Sequence, residues 1–243
     1  MKIMNLIAER QKDLYAGRIP TIAFLGDSVT HGCFELHLGE NNRIDPVYDR
    51  EHVYHRYLMK MLTDLYPNVA INAVNAGING DGTAGGLARL EKDVLSYHPD
   101  LTVVCFGLND VHHGVDGVES YRQNLMHIFQ KLCASGSEVI FMTSNMMNTY
   151  VSDRLESPFL RRIAQKTMGL QNDGVFDLYF EAARQAANEC GAAICDVYAK
   201  WKRMYENGVD VTEHLSNYIN HPTRSMHWLF ANSLLETMMG ENS

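Results

Sequence analysis

The chain has no apolar run long enough to cross a bilayer and no surplus of basic residues. Its 21 Lys and Arg stand against 29 Asp and Glu, for a net charge of -8. The first absence argues against a helical membrane span. The second argues against nucleic acid and anionic lipid, both of which reward a concentrated basic surface, and leaves a neutral or cationic small molecule as the easier ligand. No signal peptide is expected: residues 1–18 read as a polar amphipathic helix, with Leu6, Ile7, Leu14 and Tyr15 set among Glu9, Arg10, Lys12 and Asp13, and without an apolar centre or a small-residue cleavage site. The cysteines are odd in number and scattered at Cys33, Cys105, Cys133, Cys190 and Cys195, with no zinc-ribbon spacing. Reduced core thiols in a cytoplasmic protein account for them better than a disulfide framework does. No internal repeat, low-complexity tract or linker divides the 243 residues, of which 46% are hydrophobic, so one domain over 1–243 is expected.

What the chain does have is alternation. Strand-like runs at 21–25, 69–74, 101–106, 139–143 and 192–197 are separated by segments with apolar residues at helical spacing, at 53–65, 86–97, 118–134 and 176–190. A last amphipathic helix is expected over 224–239. The first, third and fourth strands are nearly continuous apolar runs, as strands covered on both faces should be. Alternation of this kind implies an α/β protein: a five-stranded parallel sheet with right-handed crossovers in a three-layer α/β/α sandwich. Three stretches, 33–49, 145–173 and 207–222, read as loops long enough to suggest function.

Open α/β sheets bind ligands just beyond the carboxyl ends of their strands, so the ends of the apolar runs carry the functional argument. The first run, Thr21-Ile-Ala-Phe-Leu, breaks at Gly26-Asp27-Ser28 and delivers a hydroxyl to the strand tip. By itself that tripeptide is also ordinary turn and helix-cap chemistry, and Asp27, adjacent to the serine, reads as the anchor of its turn. The second run leads into Asn75-Ala-Gly77-Ile-Asn79-Gly80-Asp81-Gly82, and the third into Gly107-Leu-Asn109-Asp110. Gly77 could relieve a tight turn, and Asn109 could cap the next helix. With Ser28 at the same sheet edge, however, the backbone N–H groups of Ser28 and Gly77 and the side chain of Asn109 would form a three-donor oxyanion hole for the tetrahedral intermediate of acyl transfer. Late in the chain, Asn220-His221-Pro222 offers a loop histidine as the base that takes the serine proton.

These four motifs, in this order and at these spacings, resemble the SGNH hydrolases, also called GDSL esterases and lipases. The resemblance spans nearly the whole chain. It implies a flavodoxin-like sandwich that hydrolyses esters, with Ser28 as nucleophile and oxyanion donor, Gly77 and Asn109 as the other donors, and His221 as general base. His227 matches a histidine commonly found downstream of the catalytic one and reads as structural. The family usually places an aspartate three residues before the histidine, and here that position is Tyr218. Asp210 or Glu213 could fold back to His221 Nδ1, or a backbone carbonyl or Asn217 could orient the ring instead, leaving a Ser-His dyad. Asp210 is favoured as the nearest upstream aspartate.

The resulting reading is a serine esterase acting on small acyl esters, O-acetylated carbohydrates among them, with no cofactor. Adjacent side chains such as His112-His113 usually diverge, and no carboxylate-histidine set has metal-enzyme spacing, so no metal is expected. Tyr48, Tyr54, Tyr150 and Tyr179 are candidates for stacking on sugars. Met142, Met146, Met147 and Met168 read as core filler that would also suit an adaptable apolar wall. Short-chain lipid or thioester hydrolysis, O-acyl transfer, and a carbohydrate-binding protein that has lost catalysis are the competing readings.

Overall fold

In the computed structural model, which describes residues 1–240, the elements run in chain order α1 (Lys2–Lys12), β1 (Thr21–Gly26), α2 (Ser28–His31), β2 (Cys33–Leu38), β3 (Ile44–Tyr48), α3 (Tyr54–Leu65), β4 (Asn72–Gly77), α4 (Thr83–Asp93), β5 (Leu101–Cys105), α5 (Val118–Ala134), β6 (Glu138–Met142), α6 (Pro158–Asn172), α7 (Val175–Cys190), β7 (Ala193–Cys195), α8 (Val197–Glu206) and α9 (His227–Met239). The main sheet is parallel, with strand order β4-β1-β5-β6-β7. This is the α/β/α sandwich expected from the alternation. Helices α4, α5 and α7 pack in series, and α3 packs against α9.

Burial follows hydrophobicity strand by strand. Every residue of β1 and β5 is buried, whereas β4, at the sheet edge, is buried only at Ala76 and Gly77. That edge position explains why β4 sits three residues later than its apolar run suggests. Pairing with β1 fixes the register Thr21↔Asn72 through Gly26↔Gly77, and the Asn72 N–H starts it by donating to the Pro20 carbonyl at 2.8 Å. Ladder hydrogen bonds thus draw Asn75-Ala-Gly77 into the strand although only one of its faces is covered. Helix α4 likewise begins at Thr83, earlier than expected, and α9 begins at His227, later than expected.

The expected loops hold more structure than their composition suggests. The stretch 33–49 contains the antiparallel hairpin β2–β3, and 145–173 contains α6, which starts with Ser157 as N-cap and Pro158 in its first turn. Helix α8 was not expected at all. Asp196 starts it by accepting from the Ala199 N–H, while Arg184 holds the same carboxylate at 2.8 Å.

Two helix starts position chemistry. Asp27 caps α2 through the Val29 N–H at 3.0 Å, the turn-anchoring role its place suggests, and so makes Ser28 the first residue of that helix. His227 is fully buried and accepts the Tyr54 N–H on Nδ1 at 3.0 Å, which starts α3 and gives this histidine a structural role. Gly77 sits where β4 meets α2: a Cβ there would fall on the backbone of Thr30 and His31. Gly77→Ala should therefore lower stability by ~1–3 kcal/mol and displace α2, since backbone cannot yield as a flexible side chain would. Urea unfolding of the purified variant measures the loss, and an unchanged midpoint would show that the contact is slack.

Candidate active site

Ser28 and His221 lie 193 residues apart in sequence, yet Ser28 Oγ and His221 Nε2 are 2.9 Å apart, and both side chains are buried. The other ring nitrogen settles the tautomer. His221 Nδ1 stands 2.9 Å from the backbone carbonyl of Phe34 on β2, and a carbonyl can only accept, so Nδ1 carries the proton. Nε2 is left with its lone pair facing the serine hydroxyl, the arrangement a general base needs.

Asp210 does not orient His221. Its carboxylate accepts from the N–H groups of Thr212 and Glu213 and from the Tyr150 hydroxyl, so it caps a single helical turn at Val211–His214. Glu213 pairs with Arg154 at 3.1 Å instead. Asn217 does act on His221, but through the backbone: its Oδ1 gathers the N–H groups of Ile219, Asn220 and His221 at 2.9–3.0 Å. Tyr218 takes a left-handed φ of 55° inside this tight turn, and its hydroxyl accepts from Arg154 at 3.0 Å. The loop is fixed further by Asn145 Nδ2, which donates to the Asn220 carbonyl at 2.9 Å, and by the Ser216 N–H on the His221 carbonyl at 2.7 Å.

On the donor side, Ser28 contributes the first amide of α2, which has no carbonyl a turn earlier in its helix to meet. Asn109 does not cap the turn that follows it. Its Nδ2 donates one proton to the Asp81 carbonyl at 2.8 Å and keeps its second. Gly77 is placed differently from expectation: its N–H is taken by Asn75 Oδ1 at 3.0 Å, and its α-carbon is packed on α2. Three residues on, Gly80 has φ +78°, open space where a Cβ would be, and an N–H with no partner among the described residues. The loop that carries it is held rigidly. Arg89 donates to Asp81 Oδ2 at 2.7 Å and to the Ala76 and Gly26 carbonyls at 2.6 and 3.0 Å, which ties the loop to the ends of β4 and β1.

Of the tyrosines considered for sugar stacking, Tyr54 and Tyr179 are buried in the core and unavailable to a ligand, while Tyr48 and Tyr150 are exposed. Met142, Met146 and Met147 are core residues. Among the described residues no group of three His, Cys, Asp or Glu is placed to hold a metal.

A model of the GDSL-like lipase/acylhydrolase family matches residues 24–229. The chain belongs to that family. Curated relatives of this GDSL-family chain match it in part: an acetylxylan esterase from Geobacillus stearothermophilus is 36% identical over 63 residues, 26% of this chain and 29% of that protein, and esterase TesA from Pseudomonas aeruginosa is 38% identical over 77 residues, 32% and 38% of the two. The matches thus span well under half of either relative. Solved structures are similar over much more of the fold. The crystal structure of an acetylxylan esterase from Geobacillus stearothermophilus has TM-score 0.66 at 21% identity, covering 93% of this chain and 96% of that one. A two-domain esterase active on acetylated mannans has TM-score 0.69 at 19% identity, covering 99% and 55%.

Burial sets the electrostatics of the GDSL-family site. It pushes His221 down from its ordinary value to about 4, against the opposing pull of the Phe34 carbonyl and the Glu35 carboxylate. Burial likewise pushes the Asp27 carboxyl up to about 7, with a further push from Asp110. A base must be neutral to accept a proton, so the His221-dependent limb of kcat/KM should be fully developed at neutral pH and lost as pH falls through about 4. A pH profile of ester hydrolysis checks this. A midpoint near the ordinary histidine value of ~6.5 would mean that water reaches the ring.

Proposed function

We propose that the protein is a serine esterase that removes small acyl groups, acetyl above all, from carbohydrate esters. The observation that carries the reading is the buried Ser28–His221 pair, with the base held in its productive tautomer. Ser28 Oγ attacks the ester carbonyl while His221 Nε2 takes its proton. The tetrahedral oxyanion is met by the Ser28 N–H and the free proton of Asn109 Nδ2. The third donor is the N–H of Gly80 rather than that of Gly77, because the Gly77 amide is already engaged by Asn75. His221 then passes its proton to the leaving alcohol, the C–O bond breaks, and water repeats the cycle on the acyl-serine. The carbohydrate side of the proposal draws on the names of the relatives, and no cofactor enters any step. A cytoplasmic site of action is supported by the five cysteines, all of which are free.

Incubation with a fluorophosphonate should label Ser28, and acetylated xylo-oligosaccharide should release acetate. Ser28→Ala should abolish both while keeping the wild-type circular dichroism. Turnover at near wild-type rate in this variant would refute the reading. A separate test addresses the donors: Asn109→Ala should lower kcat by ~10²–10³, the usual cost of one oxyanion donor, with a smaller change in KM. A loss confined to KM would make Asn109 a ground-state binder instead.

A further inference from the structure

The group that orients His221 is a backbone carbonyl, and a carbonyl is only as well placed as the strand that carries it. Phe34 belongs to β2, the first strand of a two-stranded hairpin outside the main sheet, so nothing in the sheet ladder fixes its carbonyl against His221. The second cluster of apolar residues, which Leu36 and Leu38 join, holds the hairpin further along. At the Phe34 end the ring is fully buried and the Asp49 N–H donates to the Gly32 carbonyl at 2.8 Å, while the polar side-chain hold comes from Arg224. Arg224, three residues beyond His221, forks onto Glu35 with Nη1–Oε1 at 2.5 Å and Nη2–Oε2 at 3.1 Å, and its Nε reaches Asp49 Oδ2 at 2.8 Å. The same guanidinium lies over the Phe34 ring at 4.3 Å, and the imidazole of His227 packs on that ring at 5.0 Å. Both carboxylates are held below their ordinary range with Arg224 as a cause: for Glu35 its hydrogen bonds dominate, and for Asp49 they act together with those of His52 against the upward push of burial.

We propose that Arg224 is a positioning residue for the reaction: by gripping Glu35, the Phe34 ring and Asp49 together, it holds the Phe34 carbonyl against His221 Nδ1 and performs the orienting task of the carboxylate that Tyr218 replaces. The proposal rests on the reading of Ser28 and His221 as the catalytic pair. The geometry is specific to arginine. A bidentate fork, a third N–H directed at Asp49 and a flat cation on an aromatic face cannot all be supplied by a lysine ammonium. Arg224 touches neither Ser28 nor the oxyanion donors, so its loss should act on kcat through the base and leave ground-state binding alone.

The test uses the full chain with Arg224→Met, Arg224→Lys and Glu35→Gln, assayed on p-nitrophenyl acetate. In parallel, the His221 ring is followed by ¹⁵N NMR on histidine-labelled protein, its signals assigned by their loss in His221→Gln. Arg224→Met should lower kcat ~10- to 100-fold, the scale of a small misplacement in an active site, with KM within about twofold. It should also convert the hydrogen-bonded Nδ1–H signature of His221 into a tautomer mixture. Arg224→Lys should recover only part of both, and Glu35→Gln should lose less than Arg224→Met. Arg122→Met, which breaks an ion pair with Glu189 between α5 and α7, away from the His221 loop, should change neither readout. Wild-type kcat with an intact Nδ1–H signature in Arg224→Met overturns the proposal, as does loss of kcat with that signature intact. Should Arg224→Met fail to fold, Glu35→Gln decides on the same criteria. The tautomer readout needs no turnover, so it reports on Arg224 even if Ser28→Ala shows the catalytic reading itself to be wrong.

Discussion

The site depends on one imidazole that is hydrogen-bonded at both nitrogens while shut away from water. His221 has a carbonyl on one side and a hydroxyl on the other, with no full negative charge in direct contact. Without a carboxylate, the neutral form is favoured by burial and the tautomer is fixed by the acceptor, but in the proposed mechanism the imidazolium would gain only dipolar stabilisation at Nδ1. Glu35 carries negative charge nearby and pulls His221 upward, but its carboxylate is paired with Arg224. That mechanism asks more of the oxyanion side. The rigidity of that side fits the demand: Arg89 pins the Gly80–Asp81 loop to two strand ends, and Asn109 is anchored on the Asp81 carbonyl.

The polar side chains around the site serve mainly to fix backbone. Asn217 collects three N–H groups so that His221 leaves its turn at one angle, Asn145 holds the carbonyl just before it, and Asp27 sets the helix that begins with Ser28. Each satisfies main-chain groups of a loop that would otherwise carry unpaired donors or acceptors into a buried region. A parallel sheet makes this necessary. Its strand ends deliver residues to one edge, but each comes from a loop with no ladder of its own, so side chains must supply the missing order.

Sequence reading found what residue type and period encode. The apolar runs located β1, β5 and β6, strand-end position singled out Ser28 and Asn109, and position in the late loop before the last helix singled out His221. It misjudged what depends on tertiary partners. The β2–β3 hairpin and α6 were hidden in long loops, although Ser157-Pro158 at the start of α6 was a readable signal. Register against β1 carried β4 three residues past its apolar stretch. Within the glycine-rich turn, composition could not separate the two glycines: Gly77 is required by the close approach of α2, whereas Gly80 is required by a positive φ and presents the free amide. Phe34 left no sequence signal at all, because every residue has a carbonyl. Arg224 read only as the first residue of the expected helix over 224–239, whereas it lies three residues before the helix begins.

Replacing the acid with a carbonyl changes how the site is coupled to the rest of the molecule. A carboxylate three residues before the histidine would orient the ring from within one short loop, almost independently of what surrounds it. Here orientation passes from α2 through Gly32 into β2, and it closes back onto the His221 loop through Arg224. The same hairpin that orients the base also carries Tyr48, exposed and set against His31, whose Nδ1 accepts the Asn79 N–H at 3.2 Å beside the oxyanion loop. A displacement of β2–β3 therefore reaches the base and the oxyanion loop together. In this chain the placement of the His221 ring and that of the Asn79–Gly80 turn are consequences of the same few contacts.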